Sequence, residues 1–200
     1  MRVAVSGGAG FLGLHLVRRL AADGHSVRTL DLASLDDPGL DGAVEEIVGD
    51  VRGETSARAL VDGADYLFGN EYEEALIERK SGWGSAEMLA RVGVRITTLG
   101  SAGARIEQQG QRPIAVPAVP DAQPVDPTGS GDAFRSGFLA AVAWGLSLER
   151  AAQLGNLMAV HALEATGPQE YNLKPAPLTE RLAAAYGDTA AAEVASHLSG

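Results

Sequence analysis

The chain has no cysteine, which excludes disulfides, thiolate metal sites and a cysteine nucleophile and leaves any redox chemistry to a bound cofactor. No stretch approaches the roughly 18 uninterrupted apolar residues of a membrane span, and the N-terminus lacks the basic region, apolar run and small-residue cleavage site of a signal peptide. Basic residues are scarce: 16 Lys+Arg stand against 26 Asp+Glu, a formal net charge of −10. That balance disfavours a general electrostatic grip on nucleic acid or an anionic membrane, so any phosphate must be held locally. His15, His25, His161 and His197 are scattered without ligand spacing, and no protein-held metal site is expected. These absences predict a soluble, cytoplasmic protein.

What is present suits one globular α/β domain: 200 residues, 46% hydrophobic and 21% charged. Met1–Ser6 reads as a strand, Phe11–Ala22 as a helix stopped by Gly24, and His25–Leu32 as a second strand. Val44–Val48 predicts a third strand, Thr55–Val61 a helix, and Ala64–Phe68 a further strand. Glu71–Lys80 and Ser85–Val92 predict short helices, and β-branched Val94–Leu99 a buried strand. Ala104–Gln109 and Pro113–Val119 flank Gly110 like an antiparallel hairpin, with prolines marking an edge and an exposed loop. Ala133–Trp144, Ser147 (as N-cap) to Ala165, Leu178–Tyr186 and Asp188–Leu198 then read as helices. Phe134, Phe138, Leu139 and Val142 are expected in the core, and Trp83 and Trp144 in packing positions.

Gly7, Gly10 and Gly13 recur at three-residue intervals between the first strand and the first helix. Glycine there lets the turn take positive φ, lets a pyrophosphate reach backbone N–H groups at the positive helix end, and lets helix and strand pack closely. Asp31 ends the second strand, where a carboxylate accepts hydrogen bonds from a ribose hydroxyl and favours NAD over NADP. The alternative is a turn that merely joins strand to helix. Val5-Ser6-Gly7-Gly8-Ala9-Gly10-Phe11-Leu12-Gly13, Asp31 and Gly49-Asp50-Val51 resemble the extended short-chain dehydrogenase/reductases, the NAD-dependent nucleotide-sugar epimerases and dehydratases. The resemblance covers residues 1–66, with Ser6 where threonine is usual. It implies NAD bound along Gly7, Gly10, Phe11, Leu12 and Gly13, with Asp50 and Val51 by the adenine. That family's Tyr-x-x-x-Lys catalytic pair is missing: Tyr66, Tyr72 and Tyr186 have no lysine four residues on, and Tyr171 precedes Lys174 by three. Dehydrogenase or epimerase turnover is therefore not expected.

Asp126-Pro127-Thr128-Gly129-Ser130-Gly131-Asp132 places a glycine-rich turn at the start of an apolar helix, with a carboxylate in its first turn. Backbone N–H groups of Gly129, Ser130 and Gly131, with the helix dipole, can neutralise a moving phosphoryl group, and Asp132 can accept the proton of an attacking hydroxyl. Asp132 as a helix-capping carboxylate is the alternative. The segment resembles the signature of the pfkB/ribokinase family of sugar and nucleoside kinases, with Ser130 in place of the usual alanine. Upstream of it, in that family's order, lie its Asn-x-x-Glu motif, Asn70 to Glu73, and its Thr-x-Gly-x-x-Gly-Ala motif at Thr98, Gly100, Gly103 and Ala104. The resemblance implies ATP with Mg²⁺, with Asn70 and Glu73 organising metal and phosphate. It likewise implies Thr98, Gly100 and Gly103 lining the nucleotide site, and Asn156 near the adenine. Read from the residues alone, Asn70 is instead a helix cap, and Glu71, Glu73 and Glu74 a solvated first turn. The wording is similar to actinobacterial adenosine kinases and covers residues 64–198.

Together the resemblances imply a chimera, engineered or naturally fused, of an NAD-binding-like segment (1–66) and a kinase-like ATP-binding segment (67–200) joined near Asp62–Phe68. Both families are doubly wound, so the expected architecture is a three-layer α/β/α, Rossmann-like sandwich. Its sheet would be mostly parallel, starting in the order 3-2-1-4-5 and finishing with the antiparallel hairpin. The topological switch would fall between the first and fourth strands. The kinase family's acceptor-binding half has no counterpart here. The expected behaviour is therefore nucleotide binding with doubtful turnover, or a scaffold alone. Apolar surface that packs nothing would favour a homodimer.

Overall fold

The computed structural model describes residues 1–167, 170 and 173–198; Tyr171, weighed above as a catalytic tyrosine, lies outside them. Seven strands and eight helices are described: β1 (Arg2–Ser6), α1 (Phe11–Ala22), β2 (Ser26–Asp31), β3 (Val44–Val48), α2 (Glu54–Val61), β4 (Tyr66–Asn70), α3 (Glu71–Ser81), α4 (Ser85–Arg91), β5 (Val94–Thr98), β6 (Ala104–Glu107), β7 (Ile114–Val116), α5 (Ser130–Ala143), α6 (Leu148–Leu163), α7 (Pro175–Tyr186) and α8 (Asp188–Leu198). The chain forms two compact units, residues 1–96 with 107–112, and residues 97–106 with 113–200.

In the first unit β1, β2 and β3 pair in parallel in that order, with Val3 opposite Val27 and Leu30 opposite Ile47. Val5, Val17, Val27 and Leu40 are buried between this sheet and α1, with Leu14, Leu20 and Leu35 packed on them. A second cluster, Val61, Trp83, Met88 and Val92, closes α2 and α4 over Leu67 and Ile77. Trp83 is buried with the guanidinium of Arg91 4.4 Å and that of Arg58 5.6 Å from its ring centroid, so it packs as expected and carries two cations as well.

The single sheet expected to run 3-2-1-4-5 is not what forms. β1, β2 and β3 make a sheet of their own, and β4 opens a second sheet of order β4-β5-β6-β7. The cause lies in residues 64–65. Their carbonyls accept the N–H groups of Gly93 and Val94 at 2.9 Å, while the Arg2 N–H, which would begin a β1–β4 ladder, donates to the Asp65 carboxylate at 2.8 Å. The Arg2 guanidinium grips the same carboxylate at 3.0 and 2.8 Å. A switch point within one continuous sheet, between β1 and β4, is thereby replaced by a side-chain clasp.

In the second unit β6 and β7 form the antiparallel hairpin, Ile106 facing Ile114 and Ala104 facing Val116. α5 and α6 pack closely around buried Phe134, Phe138, Leu154 and Leu157; Leu139, Val142 and Trp144 are half-buried, with Trp144 stacked on His197. Ser147 caps α6 by accepting the Arg150 N–H, as its position predicts. α7 starts at Pro175, before the expected Leu178, because proline is tolerated in a first turn where its missing N–H costs nothing. No helix among the described residues is long and apolar enough to cross a membrane.

Candidate active site

The turn before α5 is built backwards from Asp126. Its carboxylate accepts the N–H groups of Thr128 at 2.9 Å and Gly167 at 3.0 Å. The Thr128 side chain, then these backbone donors, hold it below the ordinary carboxylate range. The backbone N–H groups of Val125 and Asp126 both donate to the Leu163 carbonyl at the end of α6, at 2.8 and 3.0 Å. On this tied segment Gly129 takes φ 80°, which only glycine adopts at low cost, and starts α5 as its N-cap.

Ser130 turns inward. Its N–H and hydroxyl both donate to the Pro127 carbonyl, at 3.2 and 2.9 Å. The N–H groups of Gly129, Gly131 and Asp132 have no acceptor among the described residues. The open donors at this positive helix end are therefore Gly129, Gly131 and Asp132, whereas the sequence suggested Gly129, Ser130 and Gly131. The Asp132 side chain is 83% exposed, and Nη1 of Arg135, one turn on, lies 2.8 Å from its Oδ1. A row of unsatisfied N–H dipoles beside an accessible carboxylate can bind an anion and take up a proton beside it. Sequence reasoning passed over Arg135; the i,i+3 spacing of opposite charges on a helix was the available signal.

Four further predicted residues, Thr98, Gly100, Gly103 and Asn156, lie in this second unit. Thr98 ends β5, and Leu99–Gly103 forms a tight connection in which the Leu99 N–H donates to the Gly103 carbonyl at 2.8 Å. Gly103 has φ 96° and ψ −125°, and a Cβ there would lie 2.1 Å from the Val116 carbonyl oxygen, so the position admits only glycine. Gly100 opens the same turn at φ 57°. Asn156 is buried, and its amide donates to the Pro117 carbonyl at 3.0 Å, to the Tyr186 hydroxyl at 3.2 Å and, weakly, to the Val116 carbonyl at 3.5 Å. The Tyr186 hydroxyl donates to Pro117 at 2.7 Å, and burial pushes that phenol above its ordinary range.

The other predicted residues lie in the first unit. Asn70 and Glu73 form a complete capping box: the Asn70 carbonyl oxygen accepts the Glu73 N–H at 2.9 Å, and the Glu73 carboxylate accepts the Asn70 N–H at 2.9 Å. The helix-cap reading thus describes how this motif is held. Magnesium takes oxygen ligands, usually one or two carboxylates plus substrate phosphates. The described residues hold no group of three or more metal-ligating side chains. In this motif the Glu73 carboxylate is engaged by the Asn70 N–H, so the described residues fit an ion only if substrate phosphates supply most of its ligands.

At the N-terminal turn Gly7 takes φ 77°, the Gly10 N–H closes onto the Gly7 carbonyl at 3.1 Å, and a Cβ at Gly13 would lie 1.9 Å from that carbonyl oxygen. Asp31 accepts the Ala9 N–H at 3.0 Å and the Leu32 N–H at 2.6 Å, so its carboxylate braces the turn. Phe11 and Leu12 follow at 81% and 79% exposure, with no chain acceptor among the described residues for their N–H groups. These open donors beside a glycine turn fit a dinucleotide pyrophosphate. Asp50 is clamped by the Arg52 guanidinium at 2.5 Å and held at about 2 by that hydrogen bond, with exposed Val51 between them.

Two family models match the chain: pfkB family carbohydrate kinase over residues 42–175, and NAD dependent epimerase/dehydratase family over residues 3–69. A nucleoside kinase of Methanocaldococcus jannaschii is 32% identical over 110 residues, 55% of this chain and 36% of the relative. An inositol 3-kinase of Zea mays is 40% identical over 79 residues, 40% of this chain and 20% of the relative. Among solved structures, the Burkholderia thailandensis nucleoside kinase in complex with inosine matches with TM-score 0.70 and 30% identity, covering 93% of this chain and 56% of that one. The fold is therefore that of the ribokinase-type kinases, and the chain spans about half of that structure's length and about a third of the Methanocaldococcus relative.

Proposed function

This chain belongs to the pfkB family of carbohydrate kinases, and from that premise we propose that it binds ATP at the turn 129–132 and passes the γ-phosphoryl group to a hydroxyl of a nucleoside or sugar, adenosine first among them. The observation that carries this reading is the set of open N–H groups of Gly129, Gly131 and Asp132 beside the exposed Asp132 carboxylate at one helix end. The acceptor oxygen attacks the γ-phosphorus, the bond to the bridging oxygen breaks, and ADP leaves with that electron pair. Asp132 takes the hydroxyl proton, while the N–H dipoles offset charge on the phosphoryl oxygens. Mg²⁺, when bound, neutralises phosphate charge; Asn70 and Glu73 are the residues proposed to organise it. Thr98, Gly100 and Gly103 are proposed to line the nucleotide, and Asn156 to hold the wall near the adenine. No residue of this chain is assigned to acceptor binding, so binding and turnover are to be measured separately.

An ADP-release assay with adenosine, and with ribose, tests the reading. Asp132→Asn should lower the rate by about 100-fold or more, the usual worth of a general base. Equal rates in parent and variant would refute it.

The glycine turn supports a second reading, in which residues 1–66 retain NAD affinity without redox chemistry. Under the proposal the chain is a chimera joined near Asp62–Phe68, within the stretch where the two family matches overlap, and the exposed Phe11, Leu12, Leu32, Val48 and Val51 favour a homodimer. Calorimetric titration with NAD and with ATP separates the two nucleotide sites. A strict monomer in light scattering would count against the dimer.

A further inference from the structure

We propose that Arg135 is a catalytic residue of the transfer, its guanidinium turning from Asp132 onto the oxygens of the migrating phosphoryl group when ATP binds. The inference rests on the kinase reading above and adds a residue to it. Two observations place the guanidinium at the anion site: Nη1 lies 2.8 Å from Oδ1 of Asp132, and the same nitrogen lies 3.8 Å from the position a Cβ on Gly131 would occupy. Arg135 therefore lies beside both Asp132 and Gly131 in the first turn of α5. It is also the one basic residue of α5.

The charge balance calls for such a residue. Phosphoryl transfer passes through a loose transition state with charge spread over three equatorial oxygens, and catalysis is mostly positioning and electrostatic stabilisation. N–H groups and a helix dipole supply partial positive charge only, in a chain whose net charge is −10. A base carboxylate beside the site adds further negative charge. A guanidinium can answer both demands, because its fork of donors can keep one arm on a carboxylate while another engages phosphate. The Asp132–Arg135 pair is partly exposed, with Arg135 at 38% and Asp132 at 83%, and a pair of that kind is held weakly. Exchanging a weak surface partner for a phosphoryl dianion is favourable, and the exchange releases Asp132 toward the acceptor hydroxyl at the same moment.

The test uses Arg135→Gln and Arg135→Lys in the full chain, with ATP plus MgCl2 and ADP plus MgCl2 as probes. Calorimetry on Arg135→Gln should show ATP affinity lowered about tenfold and ADP affinity within twofold of the parent, because only ATP carries the phosphoryl group to be moved. Turnover should fall about 100-fold with the acceptor KM unchanged, and Arg135→Lys should recover part of it. A Tm within a few degrees of the parent excludes a folding defect. Equal ATP affinity and turnover in parent and Arg135→Gln would overturn the proposal while leaving the kinase reading standing. A parent that binds neither nucleotide would sink the kinase reading, and this proposal with it. A parent that binds ATP without turnover leaves the decision to ATP against ADP: loss of that preference in Arg135→Gln supports the role, and its retention overturns it.

Discussion

Replacing Asn156 by alanine separates nucleotide contact from structural support. In the parent its amide donates to the Pro117 carbonyl at 3.0 Å and the Tyr186 hydroxyl at 3.2 Å, inside a buried junction of α6, α7 and the segment after β7. Each such bond contributes about 1 kcal/mol net, and the alanine leaves a small void whose lining loses packing contacts, so the total loss is about 2–3 kcal/mol. It is not larger because Tyr186 still donates to Pro117 at 2.7 Å. At about 2–4 °C per kcal/mol for a chain of this size, Tm should drop by roughly 4–12 °C. Urea unfolding gives the free energy, and calorimetric titration with ATP gives the affinity in the same preparation. A cycle with Tyr186→Phe should show coupling of about 0.5–1 kcal/mol, because the two side chains share the Pro117 acceptor. The donors of the Asn156 amide are committed within the protein, so ATP affinity should change by less than threefold. A stability change under about 0.5 kcal/mol, the size of an ordinary surface substitution, together with a tenfold loss of ATP affinity would refute this and return Asn156 to direct nucleotide contact.

Arg95→Met should destabilise the first unit by about 3–5 kcal/mol, since it strips the buried cation that Glu107 holds at 2.8 Å and that Glu74 and Glu78 approach at 3.7 and 3.9 Å; urea denaturation at neutral pH measures it, and a loss under 1 kcal/mol would count against a buried network. Gly103→Ala should cost about 3 kcal/mol or more, because its Cβ would fall 2.1 Å from the Val116 carbonyl oxygen at a φ of 96°; an unaltered melting temperature would contradict the turn described. Burial, then repulsion by Arg181, depresses the His161 pKa below its ordinary 6.5. The unfolded chain therefore binds the proton more readily, and the His161 contribution is present above about pH 6.5 and lost as pH falls from there through the folded pKa. His161→Gln should flatten the acid limb of a stability-against-pH curve below about pH 6.5 relative to the parent, and a parallel curve would show that His161 does not contribute to it.

Local structure was legible wherever a local rule decided it. α1, β3 and α8 occupy the residues their periodicity predicts, Ser147 is the N-cap its position announced, and Asn70 with Glu73 makes the capping box that an Asn followed three residues later by Glu encodes. The outcomes that escaped were set by partners far along the chain. Nothing near Arg2 foretells that Asp65, 63 residues away, will take its N–H and end the first sheet at β1. Asn156 likewise gains its amide partners from Pro117 and Tyr186, 39 and 30 residues off. A polar residue on an apolar helix reads equally well as a ligand contact or a satisfied core amide until its partners are known.

The turn before α5 shows the same division within a single motif. Glycines at 129 and 131 and an acid at 132 could be read as an anion site from spacing alone, because open N–H groups and the dipole belong to any helix start. Which N–H groups remain open could not be read so, since a serine hydroxyl and its own N–H can either face the ligand or fold back onto a carbonyl. Ser130 folds back onto Pro127 with both, and that removes one expected donor. The Asp132 N–H takes its place, on the residue whose carboxylate is the proposed base. Under the proposal, anion and proton are handled by one residue, with the Arg135 guanidinium 2.8 Å from its carboxylate. Substitutions that remove the Asp132 side chain keep its N–H, so they should cost turnover far more than nucleotide affinity.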